Sequence, residues 1–287
     1  MNAPKLHHYV PQFYLRRFLD RHDRLWVWDK IKDVTFATSP GRIAAETNFY
    51  FLTEFVEQDH DPLTMEKQFS DIEYQVSIVT AQWLAWLSEI ELGERIEIPL
   101  ENRRIVSLYV ALQFLRTADS RDTLSTLLEV TRQVDTIAEE ERRRLHTHLL
   151  WDDKIVNLIA NRICTSTWIF GRNSTLTPFV TSDNPVAFRT ADNAMWLKAA
   201  ILSNGAYVVF PLSPTIVMYC HPNEPPWEKL MKFDTCLSPV EFTAEMVEDE
   251  NSAQAFMASR FVISRTNAFY RTRDFAKTIG TDRYART

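Results

Sequence analysis

Glycine is scarce in this sequence. The 287 residues include only 5 glycines, whereas an average content of about 7% would give roughly 20. A loop that binds phosphate through backbone N–H groups needs clustered glycines, because side chains would block the approach of the ligand. The glycines stand far apart, at Gly41, Gly93, Gly171, Gly205 and Gly280. A Walker loop, a dinucleotide-binding loop and the nucleophile elbow of α/β-hydrolases are therefore excluded, and we expect no nucleotide cofactor.

Cysteine and long apolar runs are also rare. The three cysteines form no C-x-x-C pair, which argues against a disulfide framework or a thiolate zinc site. The first residues lack the apolar core of a signal peptide. The longest uncharged run, residues 199–223, is interrupted by Gly205, Pro211 and Pro214, so it predicts two buried strands and no membrane span. We therefore expect a cytoplasmic protein.

Charge is distributed unevenly along the chain. The formal net charge is −6, but residues 1–32 carry +4 and residues 260–287 carry +5. Two basic ends that meet in space would attract phosphate and predict a nucleic-acid partner. The alternative is that both ends pair with the acidic body of the chain. An aromatic content of 12% also suits a protein partner, and the sequence does not determine the oligomeric state.

The order of the predicted elements indicates an α+β fold in one domain, residues 1–287. An N-terminal extended segment leads into a hairpin formed by Arg24–Asp29 and Val34–Ala37. A helical subregion at about 63–164 follows, and it includes one long helix over 122–150. Antiparallel strands fill a β-rich subregion at about 165–237, and a last helix is predicted from Pro239 to about Arg260 with Ser238 as its N-cap.

Two adjacent histidines are the first candidate for chemistry. His7 and His8 precede Pro11, which favours extended backbone before it. Neighbouring side chains of an extended chain point to opposite sides, so at most one imidazole faces a given site. The positive end of the following helix lowers the pKa of a nearby imidazole, which suits a metal ligand or a general base. The alternative is a structural, hydrogen-bonded pair.

Charged side chains interrupt the apolar faces of two predicted helices. Glu66 and Glu73 lie about two turns, or 10 Å, apart on a stripe that is otherwise largely apolar. Arg116 occupies the core face of the next helix. A charge in such a place needs a partner. That partner is either a metal or a substrate phosphate, or else Arg116 forms a structural ion pair with one of the glutamates.

The segment 181–185, TSDNP, is the next candidate. A strand delivers Asp183 to a turn fixed by Asn184 and Pro185. Strand ends commonly present catalytic or metal-binding carboxylates. In the alternative interpretation, Asp183 accepts hydrogen bonds from backbone donors of a turn.

The sequence resembles the bacterial family labelled domain of unknown function 4238. The likeness lies in KLHHYVPQFYLRRF (5–18), AAETNFY (44–50), ALQFLRT (111–117) and FVTSDNPV (179–186), and it spans about residues 5–265. The resemblance implies no activity. It singles out motif positions at His7, His8, Pro11, Tyr14, Asn48, Tyr50, Arg116, Asp183 and Asn184.

From these residues we predict a metal-dependent hydrolase of phosphodiester bonds, nuclease-like, in a bacterial conflict or defence setting. The predicted catalytic residues are His7, His8, Glu73 and Asp183. The predicted ligands of a magnesium or manganese ion are His8, Glu66 and Asp183. The predicted substrate-binding residues are Arg17, Asn48, Arg116 and Asn184.

Two alternatives remain open. The first is a non-catalytic binding or sensor module, in which the same His, Glu, Arg and Asp residues form a structural polar network. The second is an enzyme that acts on a small nucleotide without a metal and uses His8 as general base.

Overall fold

A computed structural model describes residues 6–51, 55, 60–134, 136–197, 205–234 and 236–279. The described chain has the α+β architecture that the sequence predicts. The helices are α1 (Gln12–Leu15), α2 (Thr64–Glu89), α3 (Leu100–Leu115), α4 (Ala118–Arg132), α5 (Glu139–Trp151), α6 (Asp153–Cys164), α7 (Ala244–Met257) and α8 (Tyr270–Ile279). The strands are β1 (Leu6–His8), β2 (Leu25–Asp29), β3 (Val34–Thr38), β4 (Ala45–Thr47), β5 (Thr167–Asn173), β6 (Thr181–Ser182), β7 (Ala187–Arg189), β8 (Trp196–Leu197), β9 (Tyr207–Ser213), β10 (Ile216–His221), β11 (Pro239–Phe242) and β12 (Phe261–Ser264).

The N-terminal region contains the predicted extended segment and hairpin. β1 pairs antiparallel with β4, and His7 lies opposite Glu46. β2 and β3 pair from Leu25 opposite Thr38 to Asp29 opposite Val34. Between β1 and β2, α1 continues into a 3-10 turn at Arg16–Phe18, and a second 3-10 turn at Pro40–Arg42 lies against α1. These short elements surround the side chain of His8.

The helical block follows, and its apolar stripes are as predicted. On α2 the buried residues are Met65, Phe69, Val76, Thr80, Trp83 and Leu87, at helical spacing. α2 packs against α3, and α3 packs along α6. Within the described ranges, no helix combines the length and the apolar character needed to cross a membrane.

The prediction of one helix over residues 122–150 is wrong. Gln133 adopts the left-handed conformation at φ 56° and ends α4. The chain resumes as α5 at Glu139, where three glutamates favour a helix N-terminus. Arg132 and Glu141 then form an ion pair at 2.7 Å between the two helices. The charged run EEERRR is thus the start of a second helix that folds back on the first.

A six-stranded sheet forms the centre of the β-rich region, in the order β11-β5-β10-β9-β7-β8. Its pairs are antiparallel except for β11, which is parallel to β5. Side chains of a strand alternate between the two faces of a sheet. On β9, Val208 and Phe210 join the core shared with the helical block, whereas Tyr207 and Val209 join a smaller core against α7. The sheet therefore lies between two helical layers.

The predicted helix from Pro239 is also wrong over its first residues. Residues 239–242 form β11, and α7 begins only at Ala244. The N-cap is Thr243, whose hydroxyl accepts the N–H of Met246 at 3.3 Å. The ring of Phe242 packs so closely on β5 that a Cβ at Gly171 would lie 2.5 Å from it. Glycine at position 171 therefore permits the extra strand.

A four-stranded sheet, in the order β3-β2-β12-β6, joins the hairpin to the C-terminal region. Basic residues of this region pair with acidic side chains. Arg260 contacts Asp29 at 2.9 Å, Arg271 contacts Glu248, and Arg273 lies 3.5 Å from Asp33. The described part of the C-terminal segment therefore meets the N-terminal segment, since β12 pairs with β2 and Asp29 belongs to residues 1–32. Through Glu248 it also pairs with the body of the chain. Residues 280–287 lie outside the described residues.

A buried arginine ties the helical block to the sheet. Arg103 of α3 donates from Nε to the Cys164 carbonyl at 2.6 Å and from Nη2 to the Ser166 carbonyl. Its Nη1 pairs with Asp234 at 2.8 Å, and its guanidinium lies 4.5 Å from the ring centroid of Trp168. The side chain of Arg103 is 4% exposed, so these partners replace the water that it loses on folding.

We expect Arg103→Met to lower the free energy of unfolding by about 3–5 kcal/mol, because two carbonyls and the Asp234 carboxylate lose their donor. The measurement is urea denaturation followed by tryptophan fluorescence. Arg104→Met is the matched control, because Arg104 is exposed, and we expect a change within about 0.5 kcal/mol. Equal stability of the two variants would contradict the structural role of Arg103.

Candidate functional site

The two histidines have different surroundings. His7 is buried, and its Nδ1 accepts the backbone N–H of Tyr50 at 3.0 Å. Its ring is parallel to that of Tyr50, with an interplanar angle of 10° and centroids 6.0 Å apart. His7 therefore attaches β1 to the turn after β4, which is a structural role. His8, whose side chain leaves the strand on the other side, belongs to the candidate site.

Asn48 shapes the turn that carries Tyr50. Its φ of 57° lies in the left-handed region, which asparagine tolerates better than most residues. The turn directs the Tyr50 side chain towards the end of α3, where its hydroxyl donates to the carbonyl of Arg116 at 2.8 Å. The sequence predicts that Asn48 binds substrate, and the structure places it in the backbone turn behind the site.

His8 is half-buried and oriented by Gln12. The Gln12 side-chain oxygen accepts from Arg16 Nη2 at 3.2 Å, so its nitrogen faces His8 Nδ1, at 3.4 Å. In the tautomer in which Nδ1 accepts from Gln12, the neutral imidazole carries its proton on Nε2. The backbone carbonyls of Pro40 and Gly41 also interact with the ring and act to raise its pKa. The Nε2 atom is buried and has no hydrogen-bond partner in the described part of the chain. Burial lowers the pKa of His8 below its ordinary value of 6.5, so the ring is mostly neutral at pH 7.

Arg116 is the central cation of the site. It is 2% exposed, and its Nη1 forms an ion pair with Glu73 Oε1 at 2.8 Å. Its Nε donates to the carbonyl of Tyr9 at 3.0 Å, and its guanidinium lies 5.1 Å from the ring centroid of Phe69. Nη2 is buried, and no described residue accepts from it. The pair with Glu73 is the ion pair that the sequence left open.

Tyr109 is a member of the site that sequence analysis missed. It lies on α3 seven residues before Arg116, hence two turns away on the same face. Its hydroxyl is buried and has no partner among the described residues. Burial raises the pKa of Tyr109, so the phenol keeps its proton. Periodicity places Tyr109 in an apolar stripe, although its seven-residue spacing from Arg116 could have identified it.

One group of side chains, which we call the donor cluster, consists of His8, Glu73, Tyr109 and Arg116. The charges of Glu73 and Arg116 act on the titration of both His8 and Tyr109, which places the four side chains in one neighbourhood. With His8 in this tautomer, the three atoms of the donor cluster that lack described partners are all donors: an imidazole N–H, a phenol O–H and a guanidinium N–H. Buried donors without acceptors are unfavourable. A ligand that supplies several acceptor oxygens would satisfy them.

Of two further predicted residues, Arg17 lies beside the donor cluster and Glu66 lies near Tyr50. Arg17 donates to the Leu212 carbonyl at 3.3 Å and to the Thr80 hydroxyl, and its charge acts on Tyr109. Glu66 is half-buried on α2, and its charge acts on Tyr50. Arg17 therefore connects the 3-10 turn after α1 to α2 and the sheet.

Asp183 holds a turn of the backbone. Its Oδ1 accepts the N–H of Ser259 at 2.9 Å, and its Oδ2 accepts those of Arg260 at 2.9 Å and Phe261 at 3.0 Å. Burial raises the pKa of Asp183 to about 6, although the three N–H groups act to lower it. Both carboxylate oxygens are engaged. Asp183 thus joins β6 to the chain between α7 and β12. Its donors are backbone N–H groups, as in the alternative interpretation, but they belong to a distant segment and not to the turn at Asn184 and Pro185.

Asn184 extends this anchor. Its Nδ2 donates to Asp119 Oδ2 at 3.0 Å, and the other Asp119 oxygen accepts the Ser259 hydroxyl at 2.9 Å. The predicted substrate-binding residue Asn184 therefore lies with Asp183 in a polar group that connects α4, β6 and the start of β12. Its hydrogen bonds within the described ranges go to this group and to α7, and none reaches the donor cluster.

The predicted magnesium or manganese site stays a prediction. Among the residues that the structure describes, no group of three or more His, Cys, Asp or Glu side chains is arranged to hold a metal ion. Of the predicted ligands, His8 lies in the donor cluster and Glu66 lies near Tyr50. To coordinate an ion, Asp183 would have to give up hydrogen bonds from the backbone N–H groups of Ser259, Arg260 and Phe261.

The comparison with known proteins identifies the family. A family described as protein of unknown function (DUF4238) matches residues 6–268 of the 287. The chain therefore belongs to this family, as the four sequence segments indicated. No curated protein and no solved structure matches the chain. The match ends before α8, so this helix lies beyond the family region.

The structure predicts different consequences for two of the candidate residues. Asp183→Asn places an amide opposite three backbone N–H groups, so we expect a loss of about 2–4 kcal/mol in the free energy of unfolding. His8→Ala removes a long contact to Gln12 and the interactions of a half-buried ring with the Pro40 and Gly41 carbonyls, so we expect a smaller loss, of about 1 kcal/mol. Chemical denaturation of both variants is the measurement. A stable Asp183→Asn variant would remove the structural role of Asp183.

Proposed function

We propose that the chain binds a phosphodiester at the donor cluster and cleaves it. The observation that carries the proposal is the presence of three buried donors without acceptors, among the described residues, on His8, Tyr109 and Arg116. A phosphodiester presents two non-bridging oxygens with a negative charge. Charge-assisted hydrogen bonds to such oxygens are stronger than neutral ones. In a buried site they would also stabilise the charge that develops as the diester reacts.

Each member of the donor cluster has a role in this proposal. Arg116 provides positive charge, and its hydrogen bond to the Tyr9 carbonyl and its contact with Phe69 hold it in place. His8 and Tyr109 donate neutral hydrogen bonds. Glu73 is 24% exposed in its side chain and pairs with Arg116 through one guanidinium nitrogen. It is therefore the carboxylate able to accept a proton from an attacking hydroxyl or water.

A binding or sensor module is the second candidate function. Three donors account for recognition of an anion by themselves, without any bond being broken. In addition, His7, Asp183 and Asn184 make the structural contacts that this alternative requires. In that case the donor cluster would bind a phosphorylated ligand and hold the N-terminal segment against α3.

The wider prediction is a nuclease-like effector in a bacterial conflict or defence setting. Basic residues near His8 support an anionic substrate, because Arg16 and Arg42 are both exposed. The setting is testable by induced expression in a bacterial host. We expect growth arrest with the wild-type chain and normal growth with Glu73→Gln at equal levels of folded protein. Arrest by both variants would contradict a catalytic origin of the toxicity.

The central test is a panel of phosphodiesters with the purified chain. It includes single- and double-stranded DNA, RNA and small nitrophenyl diesters, each with added magnesium or manganese and with a chelator. We expect cleavage of at least one diester, and a decrease of about 10²-fold or more in His8→Ala, Glu73→Gln and Tyr109→Phe. Binding without cleavage under all conditions would favour the sensor module. Cleavage only with an added metal would support the predicted ion.

Anion binding should depend on pH through His8. Because burial lowers the pKa of His8, its imidazole gains a positive charge only as the solution becomes acidic, and this charge strengthens anion binding. The probe is diethyl phosphate, because its own charge does not change between pH 5 and 7.5. We expect its affinity to rise several-fold as the pH falls from about 7.5 to 5, the range in which imidazole gains a proton.

His8→Gln is the matched variant for this measurement, because glutamine keeps a donor but does not titrate. We expect its affinity, measured by calorimetry or NMR titration, to vary much less with pH. A wild-type affinity that is independent of pH, or a slope that survives in His8→Gln, would exclude His8 from the anion site.

A further inference from the structure

We propose that the substrate is single-stranded RNA and that its own 2′-hydroxyl attacks the phosphate. This inference rests on the proposed function and specifies its substrate. The donor cluster supplies hydrogen-bond donors, a fixed positive charge and a carboxylate. RNA carries a nucleophile beside each phosphate, whereas DNA does not. With RNA as substrate, the four side chains of the donor cluster therefore need to supply only a base and the groups that bind the phosphate, because the substrate supplies the nucleophile.

Glu73, the 2′-hydroxyl of the substrate and water account for every proton and bond in the reaction. Glu73 accepts the proton of the 2′-hydroxyl while the 2′-oxygen forms a bond to phosphorus. The bond between phosphorus and the 5′-oxygen breaks, and the leaving oxygen takes a proton from water. Glu73 then returns its proton to the solvent. The products are a 2′,3′-cyclic phosphate end and a 5′-hydroxyl end, and His8, Tyr109 and Arg116 hold the non-bridging oxygens throughout.

Two exposed arginines next to His8 suit a polymer. Gln12 connects them to the donor cluster, because its nitrogen faces His8 at 3.4 Å and its oxygen accepts from Arg16 at 3.2 Å. The Pro40–Arg42 turn lies against Gln12, whose oxygen would be 3.7 Å from a Cβ at Gly41. Arg16 and Arg42 are exposed, and neither forms an ion pair with an acidic side chain in the described part of the chain. Both can therefore bind the phosphates that flank the reacting one.

The burial of the donor cluster favours a single strand. The donor atoms of His8, Tyr109 and Arg116 are all inaccessible to solvent, so a phosphate bound to them lies below the surface of the protein. A duplex is stiff and carries its phosphates on a regular outer surface. A single strand bends locally, and positively charged grooves track its backbone. The flanking nucleotides would then run past Arg16 and Arg42.

The test compares three oligonucleotides of one sequence: RNA, 2′-O-methyl RNA and DNA. We expect the purified chain to cleave RNA and to leave 2′,3′-cyclic phosphate ends, which mass spectrometry identifies. The two analogues should bind without being cleaved. Comparable cleavage of DNA or 2′-O-methyl RNA would overturn the RNA inference while the proposed function stands. Failure to cleave any phosphodiester would overturn the proposed function itself.

The path of the strand has a separate measurement. In the double variant Arg16→Ala, Arg42→Ala we expect weaker RNA binding. The slope of the logarithm of the binding constant against the logarithm of the salt concentration should become smaller in magnitude by about 0.7 for each phosphate that is no longer neutralised. The matched control is Arg104→Ala, Arg265→Ala, two exposed arginines outside the segments that contact Gln12, which should retain the wild-type salt dependence. If both double variants bind RNA equally weakly, the arginines next to His8 have no special role and the strand path is wrong.

Discussion

The burial of the Arg116 guanidinium is the constraint on which the candidate site depends. A buried cation is strongly unfavourable unless charge and hydrogen bonds compensate for the lost water. Glu73 on α2 and the carbonyl of Tyr9 after β1 provide this compensation. The same contacts fix the N-terminal segment and two helices relative to one another. One nitrogen of Arg116 has no acceptor among the described residues, and in the proposed function a ligand supplies that acceptor.

The polar residues singled out by the sequence divide into two groups. One group consists of anchors: His7 holds the turn that carries Tyr50, and Asp183 holds the start of β12 through three backbone N–H groups. The other group is the donor cluster, which retains unused hydrogen-bonding capacity. The distinction matters because both kinds of residue are polar and buried. Unsatisfied buried atoms also occur among the anchors, at Asn184 Oδ1 for example, so the candidate site is marked by several unsatisfied donors in one neighbourhood.

Local patterns predicted much of the fold. The hairpin, the stripe on α2 and the strands after residue 165 follow from periodicity and turn residues alone. The break at Gln133 did not, because a left-handed glutamine has no distinctive sequence signal. β11 was also missed, since its strand conformation depends on parallel pairing with β5 and on the space left by Gly171. Such tertiary pairing overrides the local helix signals that Ser238 and Glu241 provide.

The site was predictable only in part, for a related reason. Spacing placed Glu73 and Arg116 on inward helical faces, and alternation separated His7 from His8. Spacing alone could not show that both carboxylate oxygens of Asp183 accept hydrogen bonds from backbone N–H groups, because those groups lie more than seventy residues after Asp183 in the chain. It also treated Tyr109 as apolar, since a tyrosine in a core stripe usually contributes its ring.

The most direct measurement is a crystal structure of the chain with a bound phosphodiester analogue that cannot react. We predict electron density for the phosphate within hydrogen-bond distance of His8 Nε2, the Tyr109 hydroxyl and Arg116 Nη2. A phosphate bound elsewhere, with these three donors satisfied by other protein groups, would contradict the account.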